Sequence, residues 1–117
     1  MNDTHDPSHD TNARRQELTA LFLRRTLDEV EQMRRNVPLL IAGDDAAWRH
    51  VRFCAQRMRG TANGLELGVL SACARELEGL AEERFNRAEV DAHFLLSVTS
   101  AIEMVAIELN ALFKQQP

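Results

Sequence analysis

The chain has 117 residues, 44% of them apolar, with 5 Gly, 3 Pro, no Tyr and a formal charge of −4; its pI is near 5.5. That length suits one domain with a core of its own, and the surplus of Leu, Ala, Glu and Arg predicts an all-α protein. The acidic balance excludes a general nucleic-acid binder, which needs clustered cations against the phosphate backbone, and no apolar run is read as approaching bilayer length.

Residues 1–12, MNDTHDPSHDTN, offer almost nothing to bury and read as a mobile tail ahead of a domain spanning 13–117. The tail lacks the apolar stretch of a signal peptide, so a cytoplasmic protein without membrane contact is expected. His5 and His9 stand four apart among aspartates, but Pro7 lies between them, and the pair reads as solvated tail rather than a metal site.

A first helical run is predicted from about Asn12 to Asn36, with Leu18, Leu21, Phe22, Leu27, Val30 and Met33 on one face. Pro38 interrupts it, because proline removes a backbone donor and disfavours helical geometry at the preceding residue. A short apolar turn, Leu39 to Ala42, stops at Gly43, and Asp44 or Asp45 caps the next helix. That helix carries Trp48, Val51, Ala55, Met58, Ala62 and Leu65 at alternating spacings of three and four, the stripe of a bundle core, and breaks between Asn63 and Gly68.

Leu70, Cys73, Leu77 and Leu80 mark a third helix, which ends in the polar stretch Glu82 to Asn86. Asn86 with Glu89 has the form of a capping box before the last helix, which carries Val90, Phe94, Val98, Ala101, Val105, Leu109 and Leu112. The expected architecture is an antiparallel up-and-down four-helix bundle with a short N-terminal helical extension. Cys54 and Cys73 fall inside the apolar patterns without metal-ligand spacing and read as reduced packing residues. No metal or other cofactor is expected.

At about 100° per residue, Gln56 points roughly 130° from the core stripe of the second long helix. The same outward sector holds Arg49, Arg52, Phe53, Gly60 and Asn63, with Arg59 at its edge. An acidic protein thus presents a local patch of arginines around a neutral amide, beside an aromatic ring and a glycine that admits close backbone approach. Phe53 either packs under the N-terminal helix or belongs to a contact surface. Arg57, on the opposite flank near His50, reads as an ion-pair partner.

The segment Cys54 to Glu78, CAQRMRGTANGLELGVLSACARELE, resembles the core motif of histidine phosphotransfer (HPt) domains. In that family a surface histidine on a four-helix bundle is followed by Lys three residues later and Gly four residues later. Small residues, an apolar-Gly-apolar turn and a helix ending in an apolar-Glu pair come next. Ala55 matches the small residue before the histidine, Arg59 the lysine, Gly60 the glycine, and Thr61 and Ala62 the small residues. Leu65 and Leu67 match the turn, and Leu77 and Glu78 the helix end. Upstream, Phe22, Leu39 to Ala42, Gly43 and Asp44 resemble the family's preceding helix and its Gly-Asp stop, so the likeness covers roughly residues 18 to 112. Two positions depart from the motif: Glu66 replaces the turn glycine, and Gln56 replaces the phosphate-accepting histidine.

The resemblance implies a signalling module of a two-component phosphorelay that meets the receiver domain of a response regulator, or a hybrid kinase. Gln56 changes what such a module does. Imidazole offers a lone pair near neutral pH, whereas the nitrogen lone pair of a carboxamide is delocalised into the carbonyl and attacks no aspartyl phosphate. His50 lies about 240° around the helix from Gln56, His93 sits on the flank of the last helix, and neither has the basic-Gly sequence after it. The expected protein is therefore a monomeric, non-enzymatic HPt-like regulator that binds through Arg49, Arg52, Phe53, Gln56, Arg59, Gly60 and Asn63. Two alternatives stay open: an ordinary phosphotransfer protein caught as a His-to-Gln variant, and a structural bundle unrelated to phosphorelays that dimerises around Phe53 and Phe22.

Overall fold

Local backbone signals divide the chain into its elements, as seen in a computed structural model that describes residues 7–87 and 89–117, with side chains from Thr11 onward. Among the described residues there are five helices and no strand: α1 Pro7–Arg35, α2 Val37–Ile41, α3 Asp45–Gly64, α4 Gly68–Phe85 and α5 Ala92–Lys114. The first helix is described from Pro7 onward and so already runs N-terminal to the expected start near Asn12. His5 and the side chain of His9 lie outside the described part.

The break after α1 falls at Asn36, whose carbonyl accepts the amides of Leu39 and Leu40 and so starts α2. Pro38 sits in the first turn of α2, where no donor is lost. At the end of α2, Gly43 adopts φ +80°, the Gly43 amide donates to the Leu40 carbonyl and the Asp44 amide to the Leu39 carbonyl, a Schellman closure. The Asp44 carboxylate then accepts the Ala47 amide at 2.8 Å and starts α3.

α3 ends in the same closure. The Leu67 amide donates to the Ala62 carbonyl at 2.8 Å and the Glu66 amide to the Asn63 carbonyl at 3.1 Å. Here the left-handed position is filled by Glu66, at φ +61°. The capping box expected at Asn86 and Glu89 is not what starts α5. Asn86 closes the end of α4, and Asp91 caps α5 by accepting the Phe94 amide at 2.8 Å, because the cap must lie three residues before the amide it holds.

The core collects one stripe from each long helix, including Val30 and Met33 of α1, Trp48 and Met58 of α3, Leu70 and Leu77 of α4, and Val98 and Leu109 of α5. Each of the stripes predicted for α3, α4 and α5 reaches it. The stripe of α1 is rotated from the expected one: Leu23, Thr26, Val30 and Met33 are buried, while Leu18 and Leu21 are exposed. Burial of Thr26 costs little because its hydroxyl donates to the Phe22 carbonyl at 2.6 Å. The Trp48 indole is satisfied likewise, donating to the Leu40 carbonyl at 3.0 Å and anchoring α2 against α3.

Packing links the long helices in a ring, α1 to α3, α3 to α4, α4 to α5 and α5 to α1, with the α3–α4 seam the most extensive. Arg34 closes the α1–α5 side with a two-pronged pair to Glu103, at 2.8 and 2.7 Å. That hydrogen bond holds the Glu103 carboxyl below its usual range. At the other end of α4, Arg84 donates to the Gly43 carbonyl and the Asp45 carboxylate and lies over the Trp48 ring.

The apolar run in α5 corrects the expectation that none approaches bilayer length. Its 23 residues hold an 18-residue window of mean hydropathy 1.5, long and apolar enough to cross a membrane, with about a third of that window buried against the other helices. The core stripe alone hid this, because Leu96, Met104 and Ile107 lie on the face that the stripe leaves out.

Candidate docking face on α3

α3 is held on both flanks, and what those flanks leave outward is a single stripe. Arg49, Phe53, Gln56, Gly60 and Asn63 follow one another at spacings of four and three, and all five are exposed. Gln56 stands at its middle, and its amide finds no hydrogen-bonding partner among the described residues. Phe53 is 59% exposed, so it does not pack under α1; the Arg57 guanidinium lies over its ring at 5.4 Å. A Cβ added to Gly60 would meet nothing within 4 Å, which leaves open space above that turn.

The two other arginines of the predicted patch lean away from the stripe toward α4. Arg59 pairs with Glu78 through Nε at 2.5 Å, and this hydrogen bond holds its guanidinium still more firmly protonated. Glu78 is buried and Arg59 satisfies its carboxylate, while the buried Ser71 hydroxyl donates to the Arg59 carbonyl at 3.1 Å. Arg52 lies over the Phe85 ring at 4.8 Å. Of the three arginines expected around Gln56, Arg49 is therefore the one directed fully outward, while Arg52 and Arg59 are half-buried at the α4 edge.

The opposite flank faces α1. Arg57 pairs there with Glu29, as its position opposite the arginine patch suggested. Cys54 is a buried free thiol near Glu29 and His50, and burial pushes its pKa up, away from the reactive thiolate. Cys73 is also free and its thiol is likewise raised, by burial and then by Glu108 and Glu76. His50 and His93 are both exposed on sides away from Gln56.

Below this flank α1 and α3 part into a groove of about 320 Å³, lined by Leu18, Leu21, Phe22, Arg25, Thr61 and Leu65 among others. At its foot Arg15 reaches the Gly64 carbonyl at 3.3 Å and Glu66 at 3.6 Å. The left-handed backbone of Glu66 was not foreseen from the residues alone, although the motif expects a glycine at that position. Among the described residues no group of His, Cys, Asp or Glu is arranged to hold a metal ion. Compared with known proteins, the chain matches no family model, and no curated protein and no solved structure matches it.

Proposed function

We propose that this chain is an HPt-like module, an antiparallel up-and-down four-helix bundle of α1, α3, α4 and α5, which docks a receiver domain or histidine-kinase partner without accepting phosphate. The bundle reading draws on cross-helix pairs that run in opposite sense: Arg15 with Gly64 and Glu29 with Arg57 join α1 to α3, and Asp45 with Arg84 and Arg59 with Glu78 join α3 to α4. α2 is then a short insertion that seats Trp48.

The observation that carries the functional reading is the position of Gln56, exposed at the centre of a stripe that the neighbouring helices leave uncovered. A receiver presents an acidic, magnesium-binding pocket, and Arg49 offers it an outward cation next to an amide that both donates and accepts hydrogen bonds. Phe53 supplies an aromatic contact beside it. Two further features agree with the motif. Arg59 and Glu78, both motif positions, pair with each other, and Glu66, where the motif has glycine, takes a backbone conformation that glycine favours.

Chemically the face binds and does not transfer. Phosphoryl transfer requires a nitrogen lone pair to attack the aspartyl phosphate, and the Gln56 carboxamide has none available. The protein would act in the cytoplasm as a competitor or scaffold for a receiver.

The test is titration of candidate receiver domains, free and phosphorylated, into wild type, Phe53→Ala and Gln56→His. Wild type is expected to bind and to acquire no acid-labile phosphate, Phe53→Ala to weaken binding about tenfold or more, and Gln56→His to gain phosphate uptake. Acid-labile phosphate on the wild-type chain, or affinity indifferent to Phe53, would overturn the reading.

A further inference from the structure

α5 is apolar on two sides, and only one of them faces the core. On the other, His93, Leu96, Ser100, Met104, Ile107 and Lys114 fall within about 80° of arc. Leu96 is 64% exposed, Met104 54% and Ile107 62%. Single exposed apolar side chains are ordinary, whereas three in register along one stripe form a surface from which water is displaced to advantage.

The stripe is self-complementary when read against its own reverse. With two copies of α5 laid antiparallel about a two-fold axis near residue 102, Leu96 opposes Ile107 of the second copy. Met104 opposes the small Ser100, His93 opposes Ala111, and Lys114 reaches the level of Glu89. Large residues meet small ones at two levels, the apolar pair lies between them, and the cation at one end meets a carboxylate at the other. Because the interface is isologous, every such pairing occurs twice. A parallel arrangement would instead set Lys114 against Lys114 and His93 against His93, with helix dipoles aligned.

We infer that the outer face of α5 pairs with that of a second copy of this chain, giving a two-fold antiparallel dimer in place of the expected monomer. One helix pair is small for a specific interface, which places the dimer among reversible, concentration-dependent ones. α5 packs on α4 and α1 in the ring, across from α3, so dimerisation leaves Phe53 and Gln56 uncovered. The dimer carries two outward α3 faces, which makes it bivalent toward any partner that docks there.

Sedimentation velocity of the full chain across micromolar concentrations tests this. Wild type is expected to shift toward twice its 13.3 kDa mass as concentration rises. Ile107→Glu should remain monomeric with unchanged helical circular dichroism, since the position is exposed. Lys114→Glu should weaken the dimer by a factor of roughly two to five, and Lys114→Glu combined with Glu89→Lys should restore it. Cys73→Ser chains carrying Leu96→Cys, mixed with ones carrying Ile107→Cys, should form a disulfide between copies. A monomer at every concentration, a dimer abolished by Phe53→Glu but not by Ile107→Glu, or a monomer that co-sediments with phosphatidylcholine–phosphatidylglycerol vesicles through α5 would overturn the inference.

Discussion

The two flanks of α3 are built from similar helices and close to different extents. Toward α4 the seam is closed along most of its length: Leu70, Ala74 and Leu77 are fully buried, and the Ser71 hydroxyl and the Glu78 carboxylate both find partners on Arg59. It opens only where α3 ends and α4 begins, into a polar cleft of about 380 Å³ lined by Asn63, Gly68, Arg75 and Glu76 among others. Toward α1 the seam closes only in its upper half, at Glu29, Arg57 and Cys54, and opens below into the groove beside Leu18 and Leu21. α1 has 29 residues against 20 in α3, an excess of about 13 Å, yet the groove lies where the two still run side by side, because Arg15 already reaches Gly64 at the end of α3. An apolar period in a sequence becomes a core face only where another helix packs closely against it.

Substitutions on the two flanks turn that contrast into energies. The largest effect belongs to the closed seam: Leu77→Ala removes a fully buried side chain and should destabilise by about 2–5 kcal/mol in urea unfolding, with an unchanged m-value. A stability loss under ~1 kcal/mol would mean that the seam collapses around the cavity and is looser than its burial indicates.

Next comes the foot of the open seam. Glu66→Gly relieves a left-handed backbone worth about 1–2 kcal/mol while giving up a solvent-exposed pair with Arg15 worth about 0–1 kcal/mol. A net gain of about 0–2 kcal/mol is expected, read as a higher unfolding midpoint. A net loss would show that Arg15 and Glu66 hold α1 to α3 more strongly than a surface pair does.

A smaller effect concerns the side of α1 that meets α5. The Glu103 carboxyl is held below its usual value by Arg34, so its contribution is present above the ordinary carboxylate range and disappears as pH falls through the lowered value. Both side chains are more than a third exposed, which limits the term to below about 1 kcal/mol. Glu103→Gln should therefore lower stability near neutrality and flatten its fall in acid, measured as unfolding midpoint against pH. The smallest effect is expected at the open groove, where Leu21→Ala should stay within about 0.5 kcal/mol of wild type. A larger loss there would mean that the groove is filled in solution.

Much of this was legible in the residues, and particular positions show why the rest was not. The stripes of α3, α4 and α5, the stop at Gly43, the Asp44 cap and the outward direction of Gln56 all follow from interactions spanning three or four residues. The partner of Arg59 lies 19 positions away on another helix, and its alignment with Glu78 depends on how α3 and α4 are rotated against each other. The stripe of α1 was misjudged for the same reason. Leu18 and Leu21 satisfy the helical period as well as Leu23 and Val30 do, and only the position of α3 and α5 separates them. The start of α5 was a competition between two nearby caps, and Asp91 holds it because the Phe94 amide is the one left unbonded at that end.

The sequence by itself determined an all-α chain, where its helices break, the core stripes of three of them and the exposure of Gln56, because capping and helical periodicity act over one or two turns of backbone. Tertiary structure alone decided which face of α1 is buried, that Arg52 and Arg59 turn toward α4 instead of joining Arg49, that Glu66 takes the left-handed turn and that α5 keeps a second apolar face in the open. These depend on the rotation and length of each helix relative to its neighbours, and no local pattern encodes either.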